Sequence, residues 1–99
     1  MKTEHIVLAS ATAQPGKEAE LEATLREVVQ PTRAQAGCLQ FSLWRPAGAA
    51  GTLVGFERWA SPEHHQAHLQ GAHVQHLMNR MGGILAGPPE TRVYEVVVA

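Results

Sequence analysis

The chain has 99 residues, with eight basic and nine acidic side chains and a formal net charge of -1 when its six histidines are neutral. The basic residues are scattered singly, so no patch suits a phosphate backbone or an anionic membrane, and neither nucleic acid nor a membrane is an expected partner. This length predicts a single domain, residues 1–99, with a modest hydrophobic core. A lone cysteine, Cys38, excludes an intrachain disulfide; together with an N-terminus that lacks a signal-peptide pattern, it predicts a cytoplasmic protein.

The first third of the chain predicts a strand followed by an amphipathic helix. Residues 5–13 are mostly apolar and β-branched and stop at a Gln-Pro-Gly turn, residues 14–16. In the helix that follows, Pro31 removes a backbone donor and crowds the preceding turn, so we expect a kink or a restart there and an end at Gly37. The buried stripe of this helix comprises Leu21, Leu25, Val28, Val29, Thr32 and Ala36.

Two segments of alternating polarity predict a pair of neighbouring strands. They span residues 38–45 and 52–60 and flank a glycine- and alanine-rich loop, which is typical of a hairpin. Successive side chains point to opposite faces of a strand, so each segment has two distinct faces. The first strand carries Leu39, Phe41 and Leu43 on one face and Trp44 on the other, and the second carries Leu53, Gly55, Glu57 and Trp59 on one face.

The last third predicts a helix in two pieces and a final strand. Ser61 is placed to cap the helix, with Pro62 at its first position. We expect Gly71 to end this helix and to separate it from a second helical segment, which ends at the glycines of residues 82–83. After a Gly-Pro-Pro loop, residues 91–98 predict the last strand.

The order of these elements is βαββαβ, which predicts an α+β fold of the ferredoxin-like split βαβ type. In that fold one antiparallel sheet carries helices on one face and leaves the other face bare. The first and last strands are nevertheless apolar on both faces, whereas a solvated face would alternate with polar residues. We therefore expect a two-fold homodimer in which the bare sheets pack together.

Histidines are concentrated after the third predicted strand, which ends in Phe-Glu-Arg-Trp at residues 56–59. Histidine has an unperturbed pKa near physiological pH, so this clustering beside a glutamate and a tryptophan predicts proton-transfer chemistry. Some histidine pairs would share a helix face, as metal ligands do, but the His-Glu-x-x-His order is absent and Gly71 separates the pairs, so no metal site is expected. The five histidines of this segment are His64, His65, His68, His73 and His76.

Three segments carry a resemblance to a known family: PTRAQAGC at residues 31–38, FERWASPE at residues 56–63 and AHLQGAHV at residues 67–74. In order and spacing they resemble the antibiotic-biosynthesis monooxygenase family of quinol-monooxygenase-like proteins, over nearly the whole chain. The resemblance implies a dimeric α+β barrel with an antiparallel sheet and a pocket between sheet and helices in each subunit. It also implies oxygenation of small phenols, hydroquinones or anthrones by O2, with no metal, flavin or other cofactor.

The residues can be given roles on this basis. A cofactor-free oxygenase needs a base, a polar group that holds the ring oxygen and an apolar pocket. We expect His68 to be the base or an orienting hydrogen-bond partner and Glu57 to fix its tautomer or hold a substrate hydroxyl, with His73 as the next candidate base. The substrate-binding candidates are Trp59 and Trp44, as walls for the ring, together with His65 and Met78.

Each role has a structural alternative. His68 could anchor the helix to the sheet, and the tryptophans could be core or interface residues. Glu57 could form an ion pair with Arg58, with Arg92 or with a histidine across the dimer. At the level of function, the same scaffold could support a small-molecule isomerase that uses His68 and Glu57 for proton transfer. A dimeric ligand-binding module without catalysis is the third hypothesis.

Overall fold

Four strands form one antiparallel sheet in the order β2-β3-β1-β4. The computed structural model describes residues 4–99, and this architecture confirms the predicted ferredoxin-like α+β fold. The strands are β1 (His5–Thr12), β2 (Cys38–Trp44), β3 (Thr52–Trp59) and β4 (Glu90–Glu95). Helices α1 (Glu18–Arg26) and α2 (Val29–Arg33) follow β1, and helices α3 (Pro62–Leu69) and α4 (Ala72–Met81) follow β3.

The break between α3 and α4 falls where the sequence predicts it. Ser61 caps α3 by accepting a hydrogen bond from the backbone N–H of His64 at 3.2 Å, and Pro62 occupies the first helical position. Gly71 has an extended backbone conformation and precedes α4. The extended residue separates α3 from α4, and residues of both helices line the same cavity over the sheet.

The first helix breaks earlier than the sequence suggests. It ends at Arg26 and resumes at Val29, so the restart lies two residues before Pro31. Pro31 then falls in the first turn of α2, where a helix has no intrahelical acceptor for its N–H groups, and its missing donor costs nothing there.

Two strand predictions also need correction. The last strand ends at Glu95 and not at residue 98, because it pairs only with β1, whose first residue, His5, lies opposite Glu95. A β-bulge between Cys38 and Gln40 shifts the register of β2 against β3, and Leu39 is 49% exposed instead of sharing the buried face with Phe41.

The pairing register fixes which residues face the helices. Glu57 of β3 lies opposite Val7 of β1 and Phe41 of β2, so these three side chains share the helix-covered face. Val7 and Trp59 are fully buried on this side. The hydrophobic core therefore lies between this sheet face and the helices, and its main buried cluster, which includes Ala11, Leu21 and Leu53, lies towards the end of β1 and β3 opposite Trp59.

Candidate functional site

A cavity of about 540 Å³ lies between the helix-covered sheet face and α1, α3 and α4. Its floor includes Ala9 and Gly55, two small residues that face each other across β1 and β3. A side chain at position 55 would begin 3.8 Å from the carbonyl oxygen of Ala9 and 3.9 Å from Oε2 of Glu57, so the missing side chain leaves open space above the sheet. Its apolar wall includes Leu25, Val28, Phe41, Val74, Leu77 and Met81.

The loop between α4 and β4 closes one side of the cavity. Gly82, Gly87, Pro88 and Pro89 from this loop all line it. The polar side chains that reach the cavity are few, and the ionisable ones among them are Glu57 and His68. The site therefore combines an apolar space of ligand size with a small number of polar groups, as small-molecule sites do.

Glu57 is a buried carboxyl group on β3, only 6% exposed. Its Oε1 accepts a hydrogen bond from Nε1–H of Trp59 at 2.9 Å. Burial raises the pKa of Glu57, and the Trp59 hydrogen bond offsets only part of that effect. A carboxylate at this position consequently binds a proton more readily than one in water.

His68 is a buried imidazole on α3, 5% exposed, with both ring nitrogens directed at named groups. Its Nδ1 lies 2.6 Å from Oε1 of Gln35, within hydrogen-bond distance. Its Nε2 lies 3.9 Å from Oε1 of Glu57, beyond direct hydrogen-bond distance. Burial, followed by the nearby His65 and His73, lowers the pKa of His68 to about 4.

This pKa lies well below the value near 6.5 that a histidine has before perturbation. Charge attraction from Glu57 does not offset the cost of burying an imidazolium here. His68 is therefore neutral at physiological pH, and its Nε2 can accept a proton or a hydrogen bond throughout that range. Any change of activity that follows the ionisation of His68 moves to a correspondingly lower pH.

Three of the predicted site residues line the cavity: His68, Glu57 and Met78. Trp59 lies behind them, with its ring centroid 4.8 Å from that of His68. It contributes to the site by holding Glu57 and packing against His68. The alternative of an ion pair between Glu57 and Arg58 does not occur, because Arg58 binds Glu4 through two hydrogen bonds at 2.6 and 2.9 Å.

The remaining predicted residues lie outside the cavity lining. Nδ1 of His65 is 3.1 Å from Nε2 of His5, and burial, followed by His5, lowers the pKa of His65. Nε2 of His73 is 3.2 Å from Oγ1 of Thr32, and its ring lies 5.9 Å from that of His68. Both histidines therefore surround His68 and influence its charge without lining the cavity.

Trp44 does not form a wall of this cavity. It pairs with Val54 on the sheet face that points away from the helices, stacks on Phe56 with ring centroids 5.0 Å apart, and is 53% exposed. The reason is strand alternation, since Trp44 has the opposite parity to Phe41, whereas Trp59 has the same parity as Glu57.

Gln35 is a site residue that the sequence analysis did not single out. It lies between α2 and β2, 33 positions before the histidine to which it is bonded. The sequence feature that could have identified Gln35 is its position in the segment of residues 31–38, which carries the family resemblance. That segment brings Thr32 and Gln35 against the corner between α3 and α4, where each meets one histidine.

Two further searches bear on the expected partners. Within residues 4–99, no three or more histidine, cysteine or acidic side chains are arranged to hold a metal ion. In the same part of the chain, no helix has the length and apolar character needed to cross a membrane.

The protein combines a ferredoxin-like antiparallel sheet with an apolar cavity beneath its helices, and a buried carboxyl and a buried imidazole line that cavity. These features describe a small α+β protein with a candidate small-molecule site. Residues 5–80 match the family model described as antibiotic biosynthesis monooxygenase. A protein of Mycobacterium tuberculosis named "Putative monooxygenase Rv0793" is 32% identical over 82 residues, which are 83% of this chain and 80% of that protein. The chain belongs to the antibiotic biosynthesis monooxygenase family.

Two solved structures have the same fold as this protein. The structure of Rv0793 has a TM-score of 0.91 at 28% identity and covers 97% of each chain. That of PA3566 from Pseudomonas aeruginosa has a TM-score of 0.93 at 26% identity and covers 99% of this chain and 98% of that one. An uncharacterized Synechocystis protein, sll1783, is 22% identical over 92% of this chain, which spans only 62% of that protein's length.

Proposed function

We propose that this protein is a cofactor-independent monooxygenase that oxidises a small, uncharged phenolic or quinol-type aromatic with O2. The observation that carries this proposal is the pair of proton acceptors at the cavity, Nε2 of His68 and Oε1 of Glu57, 3.9 Å apart. A ligand hydroxyl beside this pair can donate its proton to either acceptor. Relatives in Mycobacterium tuberculosis and Bacillus subtilis whose names begin with "Putative monooxygenase" support the same reaction class.

The chemistry follows from the electronic state of O2. Ground-state O2 is a triplet and accepts electrons one at a time, so the substrate must first become electron-rich, and deprotonation of its hydroxyl does this. Neutral His68 takes the hydroxyl proton at Nε2, and Glu57, whose pKa is raised, is a second acceptor next to it. The aromatic anion then reduces O2, and one oxygen atom replaces hydrogen on a ring carbon. The substrate supplies all four electrons and ends as a quinone, so the other oxygen atom leaves as water with the two hydrogens that the substrate loses.

The cavity favours an uncharged substrate. No lysine or arginine lies among its lining residues in the described part of the chain, so a carboxylate or phosphate would be buried without a counter-charge, at a cost of several kcal/mol. An aromatic ring with hydroxyl groups instead matches the apolar walls and places its polar atoms at Glu57 and His68. This argument also disfavours phosphorylated substrates for an isomerase at the same site.

A homodimer in the cytoplasm is part of this proposal. Trp44, Tyr94 and Leu39 are 53%, 44% and 49% exposed, and exposed apolar residues on a sheet support burial against a second copy. Cys38 is a free thiol, and free thiols are typical of a reducing compartment.

Oxygen uptake tests the proposed reaction. Metal-stripped protein should consume O2 with at least one member of a panel of hydroquinones, catechols and anthrone-type phenols. We expect His68→Ala to lower kcat/KM by about 10²-fold or more, because it removes the proton acceptor, and Glu57→Gln to lower it as well. His76→Ala is the matched control, since His76 is exposed on α4 and should retain wild-type activity.

Other outcomes identify the alternatives. Conversion of a substrate without O2 would favour an isomerase that uses the same two acceptors. Tight binding of an aromatic ligand that stays unchanged in air would favour a ligand-binding module. Normal turnover by a folded His68→Ala protein would contradict the role given to His68.

A further inference from the structure

The side-chain amide of Gln35 determines which nitrogen of His68 carries the proton. An amide oxygen can only accept a hydrogen bond, so the 2.6 Å contact between Oε1 of Gln35 and Nδ1 of His68 requires a proton on Nδ1. In a neutral imidazole the other nitrogen then carries a free lone pair. That nitrogen, Nε2, is the one that faces Glu57.

We propose that Gln35 is a positioning residue that locks His68 in the Nδ1–H tautomer, so that Nε2 is the proton acceptor of the site. The assignment of the tautomer stands on geometry alone. Its consequence for turnover rests on the proposed function.

The backbone around Gln35 is held on both sides. Its N–H donates to the carbonyl oxygen of Thr32 at 3.0 Å, and its own carbonyl accepts from the N–H of Cys38 at 3.2 Å. The amide of Gln35 therefore projects from a fixed turn between α2 and β2. The point from which its side chain starts is fixed by these backbone bonds, which lowers the entropy lost when the amide meets His68.

The corner between α3 and α4 is shaped to accept this amide. A Cβ at Gly71 would lie 3.1 Å from Nε2 of Gln35 and 3.2 Å from the carbonyl oxygen of His68, closer than most such contacts. Because Gly71 has no side chain, the side chain of Gln35 has room to reach the imidazole of His68.

An uncharged acceptor suits this position better than a carboxylate would. A glutamate at position 35 would attract a second proton onto His68, because a negative charge favours the imidazolium form, and a protonated Nε2 could no longer accept a substrate proton. The titratable groups that face His68 in the structure are Glu57, His65 and His73. Gln35 adds direction to this group without adding charge.

The direct test is NMR of the imidazole nitrogens in protein labelled with 15N-histidine, recorded at pH 7 without substrate. We expect long-range 1H–15N spectra of the wild type to show a protonated Nδ1 and an unprotonated Nε2 for His68. In Gln35→Leu the acceptor is lost, and the His68 signals should shift towards the Nε2–H tautomer. Gln66→Leu, at an exposed position of α3, should leave them unchanged.

A second variant keeps the test decisive if Gln35→Leu does not fold. Gln35→Glu retains an acceptor, so Nδ1 should stay protonated, and the pKa of His68 should rise well above about 4. A wild-type protein with its proton on Nε2, or a Gln35→Glu protein in which the titration of His68 is unchanged, would overturn the proposal.

Turnover gives an independent readout. With a quinol that the wild type oxidises, Gln35→Leu should lower kcat by roughly tenfold to a hundredfold, as loss of a residue that orients a site group does, with little change in KM. An unchanged kcat in Gln35→Leu would refute the consequence for turnover. Absence of oxygen uptake in the wild type would instead refute the proposed function, and the NMR spectra would still decide the tautomer.

Discussion

At the scale of single residues, burial has opposite effects on the two ionisable groups of the cavity. It raises the pKa of Glu57 and lowers the pKa of His68, in each case because the charged form loses hydration. Groups whose pKa values are displaced within a cavity are candidates for proton transfer. These two pKa shifts also make the free energy of unfolding depend on pH, and the sign of each contribution follows from the direction of the shift.

We predict that His68 makes the folded protein less stable as the pH falls below 6.5. The unfolded chain restores an ordinary pKa near 6.5, so it takes up a proton that the folded protein, with a pKa of about 4, does not. The loss grows through this window and reaches about 3 kcal/mol near pH 4. Glu57 acts with the opposite sign, since its raised pKa costs stability as the pH rises through that pKa.

Urea unfolding at pH 7 and at pH 5 measures this effect. The free energy of unfolding of His68→Gln should fall less between the two values than that of the wild type, and His76→Gln should follow the wild type. An equal decline in all three proteins would show that His68 is not held neutral by the fold.

At the scale of secondary-structure elements, much of the fold was predictable because its signals are local. The alternation along β2 and β3, the cap at Ser61 and the break at Gly71 depend on neighbouring residues. The bulge that exposes Leu39 and the bond from Gln35 to His68 depend on how distant segments meet. The candidate site was therefore only partly predictable: Glu57 and His68 could be named from the sequence, and the contact of Gln35 with His68 could not.

The floor of the cavity gives a prediction at this scale. Gly55 leaves space where most strand residues would place a side chain, so Gly55→Leu should fill part of the cavity. We expect binding of 1-naphthol, measured by isothermal titration calorimetry, to weaken by about tenfold or more, since one lost apolar contact region is worth 1–3 kcal/mol.

A control substitution at another glycine distinguishes filling of the cavity from a general effect of replacing a glycine with leucine. Gly83→Leu lies in the turn after α4, where a Cβ would meet nothing within 4 Å, and Gly83 does not line the cavity. It should bind 1-naphthol as the wild type does. Equal affinities in all three proteins would mean that the ligand does not occupy the space above Gly55.

At the scale of the whole molecule, the bare sheet face predicts self-association. Light scattering during size-exclusion chromatography should give about twice the chain mass of 10.7 kDa. Tyr94 lies opposite Ile6 on this face, so Tyr94→Lys should shift the protein towards the monomer, whereas His76→Lys on the helix side should not. A wild-type protein that stays monomeric at high concentration would contradict the prediction.

The residues that line the cavity come from two kinds of structure, regular elements and a loop. Glu57 and His68 come from a central strand and a helix, whereas Gly82, Gly87, Pro88 and Pro89 of the cavity wall belong to the loop between α4 and β4. Loops tolerate insertion and exchange more readily than the elements they connect. Changes to this one loop can therefore alter which molecules enter the cavity and leave the positions of Glu57 and His68 unchanged.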